Sequence, residues 1–222
     1  MAPITTFILT TVKAGAKVEE SFGAIEAIQD TIKSAPGSGA LRVATLHEDA
    51  NQYRLFIDWE SIEAHKAFRQ TEAFQKFANE ISPFAANPST VFHAELSPFP
   101  PSVLDNAEGK GKTAVAEILF TYYAPTADAD KNLALAQKLA SQLAGAGFAG
   151  ATGETAVGWS VEKDIDYKGT PSRALVVILG WETVAAHEAA RNSDKYKSII
   201  AEFQGSTDAT GFEVSHVTTK TL

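Results

Sequence analysis

The segment Trp59-Glu60-Ser61-Ile62-Glu63-Ala64-His65-Lys66-Ala67-Phe68-Arg69 returns as Trp181-Glu182-Thr183-Val184-Ala185-Ala186-His187-Glu188-Ala189-Ala190-Arg191, 122 residues further on (181 − 59). Each copy follows an apolar run with the look of a strand, Tyr53 to Asp58 and Ala174 to Gly180, and each opens a helical pattern. A repeat this long is not a solenoid period but a duplicated small domain. Few folds accept two such units on one chain of 222 residues.

Elements on either side of the copies repeat in the same order. Ile4 to Val12 reads as a strand, and Val18, Phe22, Ile25, Ile28 and Ile32 form the stripe of an amphipathic helix that ends at Pro36 and Gly37. Leu41 to His47 and Tyr53 to Trp59 flank the polar turn Glu48-Asp49-Ala50-Asn51, a hairpin pattern. The following helix breaks near Thr71, which is well placed as an N-cap, and Thr90 to Leu96 is a last strand. Residues 113–222 give the same βαββαβ order, with a second break at Ser193 and an insertion from Glu162 to Ser172. Residues 98–112, with Pro98, Pro100, Pro101, Gly109 and Gly111, read as the linker between a first repeat over 1–97 and the second.

Each repeat predicts a four-stranded antiparallel sheet with both helices on one face. Leu55, Phe56 and Ile57, and later Val176 to Leu179, are apolar on both faces, so the bare face needs a cover. Two sheets on one chain cover each other, and neither half is expected to be stable alone. The expected fold class is α+β: two ferredoxin-like repeats forming one intramolecular barrel.

Composition narrows the function classes. The chain is 45% hydrophobic and 21% charged, as in ordinary globular proteins, and its net charge of −8 argues against nucleic-acid or anionic-membrane partners. With no cysteine, disulfides, thiolate catalysis and zinc-thiolate sites are excluded. The N-terminus lacks a basic leader and no stretch is long and apolar enough to span a bilayer, so a cytoplasmic location is expected.

Gly39-Ala40-Leu41, Trp59-Glu60-Ser61 with Glu63-Ala64, and Thr71 with Phe74 and Phe77 resemble the antibiotic-biosynthesis monooxygenase-like dimeric α+β barrels. The second repeat matches less fully, through Trp181-Glu182-Thr183, Ala186, Ser193 and Tyr196. The resemblance implies a pocket between sheet and helices beside the tryptophan. It also implies activities that range over quinol and anthrone monooxygenases, haem-degrading enzymes and cyclases, so it does not settle function. Positions where the family often carries helix histidines hold Phe68, Ala73, Ala190 and Lys195, and neither first strand has an asparagine, which counts against the haem-degrading and cyclase readings.

The candidate site residues follow. Trp59, Phe68, Phe74 and Trp181 are expected to bind substrate, although an aromatic plug between sheet and helix explains the tryptophans equally. His65 is a candidate acid-base catalyst, since imidazole titrates near neutrality, and it recurs as His187; His93 and His216 form a second matched pair. Glu117 is the other candidate, aligned with Phe7 and sharing parity with Leu119, with a raised pKa if that face is apolar. The polar groups His65, Glu117 and Tyr122 keep an enzyme reading alive. No metal or other cofactor is expected. The expectation is a small-molecule-binding barrel for an apolar or aromatic ligand, either a cofactor-independent monooxygenase or cyclase-like enzyme on an aromatic or polyketide-type substrate, or a non-catalytic ligand-binding or stress-associated protein. A monomer with an internal pseudo-dimer is expected, with further homodimerisation open. The first repeat is expected to hold the larger cavity, with Trp159, which stands where the first repeat has Thr45, filling the second.

Overall fold

The computed structural model describes residues 2–105 and 112–222; residues 106–111, part of the expected linker, lie outside them. The first repeat runs β1 (Ile4–Thr11), α1 (Val18–Lys33), β2 (Ser38–Leu46), β3 (Gln52–Trp59), α2 (Ile62–Phe68), α3 (Glu72–Ile81) and β4 (Thr90–Ser97). The second runs β5 (Val115–Tyr123), α4 (Ala129–Gly145), β6 (Ala151–Ser160), β7 (Ile165–Tyr167), β8 (Thr170–Trp181), α5 (Val184–Asn192), α6 (Asp194–Ser206) and β9 (Gly211–Thr221). The breaks between paired helices carry the expected caps. Thr71 Oγ1 accepts from the Phe74 amide and Ser193 Oγ from the Tyr196 amide, each at 3.2 Å.

Strand order is β5-β9-β2-β3-β1-β4-β6-β8, and β8 pairs back onto β5, so the two sheets close into one antiparallel barrel. Closure removes the free edges that four-stranded sheets would otherwise expose. The seams between repeats are β2–β9 and β4–β6, and each pairs the second strand of one repeat with the last strand of the other. Alternation along each strand divides the apolar residues into three clusters. Phe7, Phe56, Phe92 and Phe120 meet inside the barrel with ring centroids 5.0 to 6.0 Å apart. Opposite-parity residues, such as Leu55 and Ile57 or Val177 and Leu179, pack under the helices. The interior is filled, so room for a ligand lies between sheet and helices.

Both segments read from sequence as connections cap the barrel. Val103 and Leu104, in a 3₁₀ turn (Ser102–Leu104) within the expected linker, are fully buried in the interior cluster. At the same end Arg42 donates to Asp58 Oδ2 at 2.9 Å and to Asp105 Oδ1 at 2.5 Å, and Thr5 donates to Asp58 Oδ1 at 2.7 Å. At the other end Ile165 and Tyr167 of β7, from the insertion, pack into the same cluster, Tyr167 stacking on Tyr122 at 4.1 Å. Tyr122 is thereby a barrel residue whose hydroxyl donates to Glu213 at 2.9 Å, away from either cavity.

The β4–β6 seam depends on one glycine. A Cβ on Gly158 would lie 1.9 Å from the Glu95 carbonyl oxygen and 2.9 Å from Leu96 Cα, both backbone atoms that no rotamer change can clear. Gly158→Ala is therefore expected to destabilise the chain by about 2 kcal/mol or more, read as a lower urea midpoint at unchanged slope. A variant as stable as the wild type would show that the seam can spread at little cost.

Candidate active site

His65 is held on the buried face of α2, under which Trp59 stacks at 5.0 Å between centroids. Ser61 caps the helix by accepting from the Ala64 amide at 3.2 Å, which fixes where the first turn starts. His93 lies on β4 with side-chain parity opposite to Phe92 and Ala94, so it faces the helices while they face the barrel. The two rings meet, His65 Nδ1 lying 2.6 Å from His93 Nε2.

The chain continues into the other repeat. Glu162, just past β6, reaches across the seam: its Oε1 lies 2.5 Å from His93 Nδ1 and its Oε2 accepts from the His93 amide at 2.8 Å. The Val161 amide bonds the His93 carbonyl at 2.8 Å and sets that register. Burial works to raise the Glu162 pKa, but hydrogen bonds from the His93 ring and amide outweigh it, and the carboxyl ends below its ordinary value. For an ionised Glu162 the neutral pair has one consistent tautomer. His93 Nδ1–H donates to Glu162, His65 Nδ1–H donates to His93 Nε2, and the His65 Nε2 lone pair is left free. Burial first, then His93 and Arg69, push the His65 pKa down to about 3, so the ring is neutral.

His65 lines a cavity of about 510 Å³, of a size that suits a small organic molecule. Its walls include Phe68 and Phe74, with Ile8 and Leu55 on the sheet side and Arg69 as the charged group. Arg69 lies over the Phe74 ring at 5.6 Å. His65 Nε2 has no protein hydrogen-bond partner among the described residues. Trp59, expected as a wall, sits one layer behind His65 and Phe68, wholly buried.

The second repeat has the same skeleton and a different outcome. His187 Nδ1 lies 2.6 Å from His216 Nε2, and Glu48 of the first repeat, its Oε1 2.5 Å from His216 Nδ1, mirrors Glu162. Here His187 Nε2 is already engaged, 3.0 Å from the Tyr196 hydroxyl and 3.2 Å from Glu117 Oε2. Trp181 Nε1 donates to the same carboxylate oxygen at 2.9 Å, so Trp181, like Trp59, lies behind the histidine. The remaining cavity is about 160 Å³.

One alignment and one expected role need correction. Thr6 pairs with His93 as Glu117 pairs with His216, so the counterpart of Glu117 is Thr6, not Phe7. Glu117 faces the helices, buried among Trp181, His187 and Tyr196, and is tied to its own repeat. Nor does Trp159 fill the second cavity: it packs on Tyr123 at 5.1 Å and donates to the Ala129 carbonyl at 3.0 Å, outside the cavity wall. Tyr196, Phe203 and Glu117 narrow the space instead. Glu48, Glu162, Arg69 and Thr6 are site residues that sequence reasoning did not single out. The signal for the first two was the 114-residue offset relating His47 to Val161, one position earlier.

Residues 5–80 match the family model described as antibiotic biosynthesis monooxygenase. The chain resembles this family, as a tandem duplication. An anthrone oxidase-like protein superposes with a TM-score of 0.65 at 17% identity, over 100% of this chain and 94% of that one. A candidate monooxygenase from Fusobacterium nucleatum gives 0.62 at 13%, over 98% and 92%, and one from Lactobacillus acidophilus gives 0.60 at 13%, over 100% and 99%. At these identities the likeness is one of fold, and it extends over both repeats. No protein of curated function matches the sequence. Among the described residues no helix is long and apolar enough to cross a membrane, and no cluster of three or more His, Asp or Glu side chains is placed to hold a metal ion.

Proposed function

We propose that the first repeat binds an aromatic or polyketide-type molecule and acts on it as a cofactor-independent monooxygenase or cyclase-like enzyme, with His65 as the base. The observation that carries this reading is the Glu162–His93–His65 chain, which ends on an apolar cavity with the His65 Nε2 lone pair unclaimed. A phenolic or enolic proton transferred to Nε2 leaves an electron-rich anion beside Arg69. The imidazolium charge is compensated through His93 by Glu162 and directly by the anion, so the low pKa of the His65 ring rises beside an ionised substrate. Such an anion reacts with dioxygen as oxidant: one oxygen atom enters the substrate as a carbonyl, and the other leaves as water with the two hydrogens that the substrate loses, so no external reductant is needed. The protein supplies exclusion of water, orientation and one base.

Oxygen uptake and product mass, followed over a panel of one- to three-ring phenols and anthrones, test the reading. Stoichiometric binding without turnover would favour the non-catalytic ligand-binding alternative. Within the enzyme reading Glu162 is a positioning residue, acting through His93. Glu162→Gln is expected to lower kcat on the order of 10²-fold with KM little changed, and Glu162→Asp to recover part of it. Equal losses in kcat for Gln and Asp, accompanied by a fall in thermal stability, would reduce Glu162 to a structural role.

A further inference from the structure

Thr6 and Glu117 hold the same place in the two repeats, and of the side chains that narrow the second cavity, Glu117, Tyr196 and Phe203, only Glu117 sets a carboxylate between the tryptophan and the helix histidine. In the second repeat the Glu117 carboxylate sits between tryptophan and helix histidine, 2.9 Å from Trp181 Nε1 and 3.2 Å from His187 Nε2. In the first repeat the frame is the same: Trp59 and His65 stack at 5.0 Å and 29°, against 4.8 Å and 31° for Trp181 and His187. The oxygen is missing, however. Trp59 Nε1 and Thr6 Oγ1 are buried with no partner, and His65 Nε2 has none among the described residues. A buried donor left unpaired costs on the order of 1–3 kcal/mol, so the first repeat carries an unfilled demand that the second meets from its own chain.

The second cavity keeps the rest of a binding site. Arg191, equivalent to Arg69, lines it together with His187, Leu119 and Ile200. Its volume of about 160 Å³, enlarged by loss of a glutamate side chain, suits a single aromatic ring. Burial raises the Glu117 pKa to about 7, against the hydrogen bond from Trp181, so near neutrality the group can remain there without a full buried charge.

We propose that the second repeat contains a latent ligand site for a one-ring aromatic acid or phenol, closed by the protein's own Glu117, whose carboxylate stands in for the ligand's acidic oxygen. The comparison with the first repeat rests on the reading that its cavity is a ligand site; closure by Glu117 rests on the second repeat alone. The chain thus carries two homologous sites, of which one is filled internally.

Calorimetric titration of the full chain with benzoate at neutral pH tests this. Glu117→Thr, which installs the residue of the first repeat, is expected to bind one equivalent more than the wild type, whereas Glu117→Gln, which keeps the bulk and an oxygen, gains none. A folded Glu117→Thr variant with no extra equivalent overturns the proposal, whether or not the wild type binds. Wild-type binding with no gain in the variant sinks this proposal and leaves the reading of the first cavity standing. A gain in the variant with no binding to the wild type upholds the latent site and shows that the first cavity does not take benzoate. If Glu117→Thr does not fold, refolding in benzoate decides: recovery of the folded fraction by benzoate, and not by benzyl alcohol, upholds the proposal, and no recovery overturns it.

Discussion

Replacing His65 by alanine is expected to lower turnover by about 10²- to 10⁴-fold, the range for removal of a positioned acid-base group, while the chain stays folded. The size of the effect follows from the site's composition. Apart from His65, the cavity wall offers Arg69 as its charged group, with Phe68, Phe74 and aliphatic side chains around it, and the Glu162–His93 pair can reach a substrate only through the His65 ring. Single-turnover oxygen uptake with the best substrate of the panel measures the chemical step. His65→Gln, which retains a polar side chain of similar reach but cannot accept a proton, should be as impaired as alanine. Turnover surviving within a few-fold in both variants would mean that the substrate ionises without His65, and the relay would then have to be read as a structural tie between repeats.

Asp58→Ala is expected to cost about 3–5 kcal/mol of stability, the largest single loss predicted for a residue outside the cavity. Asp58 and Arg42 are buried at one end of the barrel, and Asp58 also accepts from Thr5, so the alanine variant leaves a buried guanidinium with only half-exposed Asp105 as a carboxylate partner. Arg42 Nη2 already lacks a partner, which leaves no slack in the cluster. Urea unfolding of wild type and Asp58→Ala measures the loss. If the double variant Asp58→Ala with Arg42→Met recovers most of it, the cost lies in the orphaned charge and not in lost packing; a loss below 1 kcal/mol in the single variant would show that water reaches Arg42.

The fold was legible because duplication and period agree. Apolar alternation in Tyr53 to Trp59 and Ala174 to Trp181, caps at Thr71 and Ser193, and the repeated Trp-Glu motif each point to the same βαββαβ unit, and two sheets with apolar outer faces have to close on each other. The site was legible only in part. His65 could be singled out because its own repeat displays it, and His93 was visible as a matched pair with His216 but without a partner. Glu48 and Glu162 looked like turn residues because each acts on a histidine of the opposite repeat, and periodicity within one repeat carries no information about strand pairing between repeats. The counterpart of Glu117 was misplaced because the first strands were aligned one residue out of register, and a slip of one residue exchanges the faces of a strand. The barrel caps escaped notice for a related reason: short apolar groups such as Val103-Leu104 and Ile165 have no period to read.

The exchange of carboxylates across the seams has a bearing on how the two halves can diverge. An assembly of identical copies must accept every substitution twice, once at each site. A fused pair is released from that rule, but not into two independent halves, because Glu162 belongs by descent to one repeat and by function to the other. The second repeat could exchange an open site for a closed one through Glu117, yet it remains bound to keep Gly158, Val161 and Glu162, where it serves its neighbour. Selection on one site is thus written partly in the other half's sequence, and a catalogue of tolerated substitutions would divide along the seams of the barrel rather than at the linker.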